Sequence, residues 1–322
     1  MTGPRPVQTI AVIGAGIMGR GIAHAAAVGG FRTILEDILP ASLRRAEAEI
    51  RTNLDKGVEL GKMTREQADE AFAKVEFASS PEDAARAADL VIEAVPEEME
   101  SKLEIFTLLD KVCKPDTVLA SNTSSLSITE IASVTYRACR CIGMHFFNPV
   151  HKMKLLEVVR GLESDDQSVA TAAEAGRRMG KEVVVIRESP GFITSRINAM
   201  IGNEAFYLLQ EGIASPEDID KAVRLGLSHP MGPFEMVDMV GLDTRLHVLE
   251  YLHRTLGEKY RPAPLLVQYV KAGRLGRKVG RGVYDYSTKP PTVSETPARP
   301  STSEADAPRT EVTGVGPEKK FR

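Results

Sequence analysis

The stretch GMHFFNPVHKMKLLEV, residues 143–158, holds two histidines and a glutamate from which chemistry could be built. Glu157 interrupts an apolar run of Leu155, Leu156, Val158 and Val159. A carboxylate is costly to bury there unless it is paired. His145 closes an apolar run of its own, 139–146, so a neighbouring strand is the natural place for a partner. A carboxylate paired with an imidazole fixes the tautomer and favours the charged form, which is how a general base is built. Two readings stand, a general base and a structural ion pair, and spacing alone does not separate them. His151 sits with Lys152 and Lys154 and reads as solvated; His24, His229, His247 and His253 lack ligand spacing and read as structural.

A second constellation is Gly14-Ala15-Gly16-Ile17-Met18-Gly19. G-x-G-x-x-G is weak alone, but here it follows an expected strand ending at Ile13 and opens a helix of small residues, 21–27. Gly14 suits the tight turn, Gly16 a close approach of backbone to a pyrophosphate, and Gly19 close packing of helix on sheet. The helix start, with Ile17 and Met18, presents unpaired N–H groups to an anion. An acid about 20 residues on should take the adenosine ribose hydroxyls. Glu36 and Asp37 both qualify, and Asp37 is preferred because Glu36 continues the strand Thr33-Ile34-Leu35. A carboxylate there repels a 2′-phosphate, so NAD is expected over NADP. The other reading of the motif is a glycine turn in a doubly wound domain that binds no dinucleotide.

The elements that must position these residues follow from pattern. Strands are expected at 7–13, 32–36, 75–78, 89–95, 117–121, 139–146, 154–160 and 183–186, and a long helix at 40–60. Near-continuous apolar strands imply a parallel sheet covered on both faces by helices. Ligands in such sheets bind beyond the carboxyl ends of the strands, where Ser121-Asn122-Thr123-Ser124-Ser125 and His145-Phe146-Phe147-Asn148-Pro149 both emerge. From Ser189 the pattern is helical, with Phe192, Ile193, Ile197, Met200, Ile201, Ala205, Leu208 and Leu209 at helical spacing. Ser215-Pro216-Glu217 reads as a helix start. The reading is an α/β, Rossmann-like doubly wound domain over 1–188 and an all-helical domain over 189–286. Residues 287–322, rich in Pro, Ser, Thr and Glu, are expected to be a disordered tail.

Composition excludes other classes. The 322 residues, 43% hydrophobic and with a net charge of −3, suit a soluble two-domain protein and carry no basic footprint for nucleic acid. No signal peptide or membrane span is expected. Cys139 and Cys141, one residue apart in an expected strand, should share a face. With Cys113 they read as reduced, mostly buried thiols of a cytoplasmic protein, and no metal site is expected.

The glycine motif, the serine-rich run 121–125, His145-Phe146-Phe147-Asn148-Pro149, Lys154–Val158, Pro190-Gly191-Phe192 and His229-Pro230-Met231-Gly232-Pro233 together resemble the 3-hydroxyacyl-CoA dehydrogenase family, most closely its bacterial single-function 3-hydroxybutyryl-CoA branch. The resemblance spans about 7–286. It implies reversible oxidation of a (3S)-hydroxyacyl-CoA by NAD. His145 would take the hydroxyl proton, Glu157 would orient it, Ser124 would hold the substrate oxygen, and Asn148 would hold nicotinamide and substrate. Glu97, Lys102 and Lys278 match family positions that line the cofactor. The basic segment 40–62 lies near CoA in the family, with Asn53 and Lys56 as candidate contacts. The family dimerises through its helical domain, so a homodimer is expected. One position departs: Ser195 stands where the family commonly carries asparagine, and Ser195 with water or Asn198 would fill that role. Three alternatives remain: a 3-hydroxyadipyl-CoA dehydrogenase, an enzyme of the same fold acting on free hydroxyacids or sugar acids, and a non-catalytic paralogue.

Overall fold

The structure is a computed structural model that describes residues 3–294. Eight strands form one sheet: β1 (Thr9–Ile13), β2 (Arg32–Glu36), β3 (Val75–Ala78), β4 (Leu90–Glu93), β5 (Val118–Ser121), β6 (Cys141–Phe146), β7 (Leu155–Arg160) and β8 (Glu182–Arg187). The helices between them are α1 (Ile17–Val28), α2 (Pro40–Glu59), α3 (Arg65–Ala73), α4 (Pro81–Ala85), α5 (Met99–Val112), α6 (Ile128–Ala132) and α7 (Asp166–Arg178). The strand order is β3-β2-β1-β4-β5-β6-β7-β8.

Successive side chains of a strand face opposite sides. Ile10 and Val12 therefore pack in the core with α1 and α7, while Ala11 and Ile13 join the core on the other face around Phe106 and Leu109 of α5. Both layers are apolar, which is why the central strands read as continuous hydrophobic runs. The alanines and glycines of α1 bring it close to the sheet; a Cβ on Gly19 would lie 1.7 Å from the Gly14 carbonyl oxygen.

The sheet is not wholly parallel. Strand β7 runs antiparallel to β6, and β8 parallel to β7. Residues 147–154 are too short for the crossover that a parallel neighbour needs, so the chain turns back directly. Burial on both faces also fails at the edge, where Val184 and Val185 of β8 are exposed. Cys139 lies in a short 3-10 turn and is exposed, while Cys141 is buried in β6, so the two thiols do not share a strand face.

Beyond β8 the chain is almost entirely helical: α8 (Thr194–Glu211), α9 (Pro216–Gly226), α10 (Pro233–Val240), α11 (Leu242–Leu256) and α12 (Pro264–Lys271). They surround Phe206, Phe234, Leu249 and Leu266. Ser215 caps α9 by accepting the Asp218 N–H at 3.2 Å, as its sequence predicts. Not all of the helically spaced apolar residues are core: Ile193, just before α8, and Ile197 within it are exposed. The first part of the expected tail is ordered. Strand β10 (Thr292–Val293) pairs with β9 (Tyr284–Asp285), and Ser294 is buried. Backbone pairing there needs no apolar side chains, so composition does not reveal it. The rest of that expectation, 295–322, lies outside the described residues.

Candidate active site

The parallel strands end in register along one edge: Ile13 pairs with Glu36 and with Glu93, and Glu93 with Ser121. A cavity of about 770 Å³ opens beyond this edge, lined by Gly14, Gly16, Ile17, Met18, Glu36 and Asp37 among others. Gly14 has φ +96°, and a Cβ there would lie 2.8 Å from the Ala94 carbonyl oxygen. A Cβ on Gly16 would meet nothing within 4 Å, so the loop backbone is open to the cavity at that point. Asp37 accepts the N–H groups of Ala15 and Leu39, each at 2.9 Å, which ties the end of β2 to the glycine loop. The cradle, the start of α1 and an acid at the end of β2 fit a dinucleotide. The cavity is lined by both acids that the sequence offers.

At the far end of the same edge, antiparallel pairing sets His145 opposite Glu157. The His145 Nδ1 and a Glu157 carboxylate oxygen are 2.7 Å apart, and both residues are buried. Glu157 has a second partner that sequence reading missed: Thr194, at the start of α8, donates both its backbone N–H and its hydroxyl at 3.2 Å. Burial alone would raise the Glu157 carboxyl, but the His145 ring and these two donors outweigh it and hold it below its usual range. The His145 ring lies against Phe147 and Phe192, with centroids at 4.3 and 5.6 Å. With Nδ1 committed to Glu157, Nε2 is the nitrogen left for a reacting group.

The serine-rich run is held beside His145 by Asn122, whose side-chain oxygen accepts the Phe146 N–H at 2.9 Å. Ser124 donates its backbone N–H and its hydroxyl to one oxygen of Glu97, at 2.7 and 3.1 Å, and Thr123 donates to the same oxygen at 2.6 Å. Lys102 is 1% exposed and is not among the residues lining the large cavity. It lies behind Glu97, with its ammonium 2.8 Å from Glu93 and 3.3 Å from Glu97. Ser121 completes the group by donating to Glu93 at 2.6 Å. Asn122 stands in the serine-rich run with no role assigned to it from sequence, and Glu93 interrupts the apolar run 90–95 as Glu157 interrupts its own, a signal that could have found it.

The remaining candidates are dispersed. Asn148 is exposed just after the His145 strand, and Ser195 and Asn198 are half-buried on the first turns of α8. On α2, Asn53 is half-buried and Lys56 exposed. Lys56, with Lys62, Lys152 and Lys181, surrounds His151, whose ring is held below its usual range by partial burial and by these cations. His151 is exposed as expected, but it also meets the buried His24 edge to face at 6.0 Å. Lys278 is paired with Asp243 at 2.6 Å within the helical part and is not among the residues lining the large cavity. Among the described residues, no group of three His, Cys, Asp or Glu side chains could hold a metal ion.

An imidazole with one nitrogen bound to a buried carboxylate, on the same sheet edge as a cavity that fits a dinucleotide's glycine-loop end, can accept a proton from an alcohol while hydride leaves the same carbon.

Residues 9–189 match the family model described as 3-hydroxyacyl-CoA dehydrogenase, NAD binding domain, and residues 191–286 match that of the 3-hydroxyacyl-CoA dehydrogenase C-terminal domain. A 3-hydroxybutyryl-CoA dehydrogenase of Bradyrhizobium diazoefficiens is 46% identical over 281 residues, 87% of this chain and 96% of that protein. A 3-hydroxyadipyl-CoA dehydrogenase of Escherichia coli is 42% identical over 87% of this chain and 59% of that protein. The crystal structure of (S)-3-hydroxybutyryl-CoA dehydrogenase from Ralstonia eutropha superposes with a TM-score of 0.85 at 44% identity, covering 88% of this chain and all of that one.

Proposed function

Because the chain belongs to the 3-hydroxyacyl-CoA dehydrogenase family, an NAD-dependent class of oxidoreductases acting on CH–OH, we propose that it interconverts (3S)-3-hydroxybutyryl-CoA and acetoacetyl-CoA. The observation that carries this reading is the buried His145–Glu157 pair, set on the same sheet edge as the glycine-loop cavity. His145 Nε2 takes the proton of the C3 hydroxyl as the C3–H bond breaks and the C3–O bond becomes a carbonyl. NAD, when bound, supplies the hydride acceptor. Glu157 keeps the proton of the neutral ring on Nδ1 and stabilises the imidazolium that forms. Thr194 holds Glu157 in place. Ser124 presents a hydroxyl to the substrate oxygen, and Asn148 an amide to nicotinamide and substrate. Gly14, Gly16, Ile17, Met18, Gly19 and Asp37 hold the cofactor's phosphates and adenosine, with Glu97 further along.

CoA carries phosphates, and Lys56, with Asn53 on the same helix, lies where cations bear on the loop after β6. Ser195, with Asn198 or water, serves the acyl end. Lys102 acts through Glu97, and a role for Lys278 at the cofactor requires it to leave Asp243. We read 1–188 as the cofactor domain and 189–286 as the helical domain. The exposed apolar side chains of the latter, including Ile193, Ile197, Ile213 and Leu227, support a homodimer formed through it. Free cysteines support a cytoplasmic setting, and no described helix is long and apolar enough to cross a membrane. The reaction class fits the dehydrogenation step of fatty acid β-oxidation or its reverse.

A 3-hydroxyadipyl-CoA substrate would need a cation at the acyl terminus. Arg196 lines a cavity next to Phe192, but it already donates to Tyr260 at 2.6 Å and Ser189 at 3.1 Å. That commitment favours the short, uncharged acyl group. The test is NADH oxidation with acetoacetyl-CoA, 3-oxoadipyl-CoA and free acetoacetate. Acetoacetyl-CoA should be preferred by at least tenfold in kcat/KM. A preference for 3-oxoadipyl-CoA, or an equal rate with free acetoacetate, would overturn the assignment.

A further inference from the structure

One acid in the cavity has a buried carboxyl oxygen without a partner. Glu36 is the last residue of β2, and its carbonyl oxygen accepts the Gly14 N–H at 2.9 Å. The residue is only 2% exposed, yet its Oε1 makes no hydrogen bond. The residue lines the large cavity beside Gly14, Gly16 and Asp37. Its strand neighbours, Ile13 on β1 and Ala78 on β3, bring no charge. The charged groups that bear on it are Asp37, next in the chain, and Glu82 of α4. Glu82 accepts from Ser80, and Asp37 is committed to two backbone N–H groups. A buried carboxyl oxygen without a partner is expensive, and this one adjoins the space where an adenosine ribose would lie.

We propose that Glu36 is a second adenosine-side contact, which binds as the neutral acid and donates a hydrogen bond to a ribose oxygen, so that cofactor binding takes up a proton. The inference rests on reading the cavity as the NAD site. The charge balance favours it. The pyrophosphate is anionic, and Asp37 already supplies one carboxylate to the ribose, so a second anion there would repel the ligand. Burial and the adjacent Asp37 push the free Glu36 carboxyl up to about 7. Little free energy is then needed to protonate it near neutral pH.

Calorimetric titration of the whole protein with ADP-ribose isolates this end of the site, because the probe lacks the nicotinamide that would meet His145. Affinity should weaken by roughly tenfold from pH 6 to pH 8. At pH 7.5, buffers of different ionisation enthalpy should reveal net proton uptake. Glu36→Gln should bind with little dependence on pH. The proton count uses the unaltered protein, so misfolding of the variant does not decide the matter. Equal affinity at pH 6 and pH 8, with no proton uptake, would overturn the proposal while leaving the NAD site intact. No ADP-ribose binding at either pH would overturn the assignment of the cavity, and Glu36's role with it.

Discussion

His145 and Glu157 are direct partners in an antiparallel strand pair, and their side chains meet at 2.7 Å in the protein interior. Register places them on the same face, and the backbone of α8 closes the far side of the carboxylate through Thr194. The orientation of the ring is therefore set by three separate elements, β6, β7 and α8.

Glu157→Gln should lower kcat by roughly 100-fold or more while changing KM little, because the amide no longer offsets the charge that forms on the ring. Thr194→Val removes only the hydroxyl and keeps the backbone N–H. Loss of one hydroxyl hydrogen bond as long as 3.2 Å, about 1.5 kcal/mol at most, sets a ceiling of roughly tenfold on that variant's effect. Steady-state kinetics on both variants would check the ranking. A Thr194→Val loss as large as that of Glu157→Gln would contradict it.

Lys102→Met should destabilise the fold by about 3–5 kcal/mol, since it strands the Glu93 carboxylate in the interior. Adding Glu93→Gln should recover most of that loss. Urea unfolding of the single and double variants measures the coupling. If the single variant is as stable as the wild type, Lys102 does not compensate Glu93.

The buried His24 should make the protein acid-sensitive. Burial, with His151 and Lys181 nearby, lowers its ring to about 4. Between about 6.5 and 4 the unfolded chain binds the proton that the native protein does not. Stability should therefore fall as pH drops through that window, by up to about 3 kcal/mol once below it. His24→Gln should flatten this slope in urea midpoints measured from pH 7.5 to pH 4.5. An unchanged slope would show that His24 is not the group responsible.

The glycine loop and the acids at the end of β2 were legible because their signals are local: a turn, a helix start and a strand end within a short span. His145 and Glu157 were legible because a charged residue inside an apolar strand demands a partner. The direction of β7 was not legible from periodicity, which is the same in parallel and antiparallel strands; only the short connection at 147–154 carries it. Thr194 could not be found, because its contact with Glu157 depends on how α8 docks against the sheet. The ion pair of Lys102 with Glu93 was not legible, since one sequence does not say which side of a helix an amphipathic cation takes. Glu36 was set aside in favour of Asp37 as a strand residue, and it is both a strand residue and part of the cavity wall.

His145 as the base can be tested in one comparison. The direct measurement is the pre-steady-state rate of NADH oxidation by acetoacetyl-CoA for wild type and His145→Gln, with NADH binding followed in parallel by fluorescence. The variant should bind NADH within a few-fold of wild type and lose roughly 100- to 10,000-fold in the chemical step. A variant that binds NADH normally and keeps a rate within a few-fold of wild type would show that the His145–Glu157 pair is structural, and that the proton goes elsewhere.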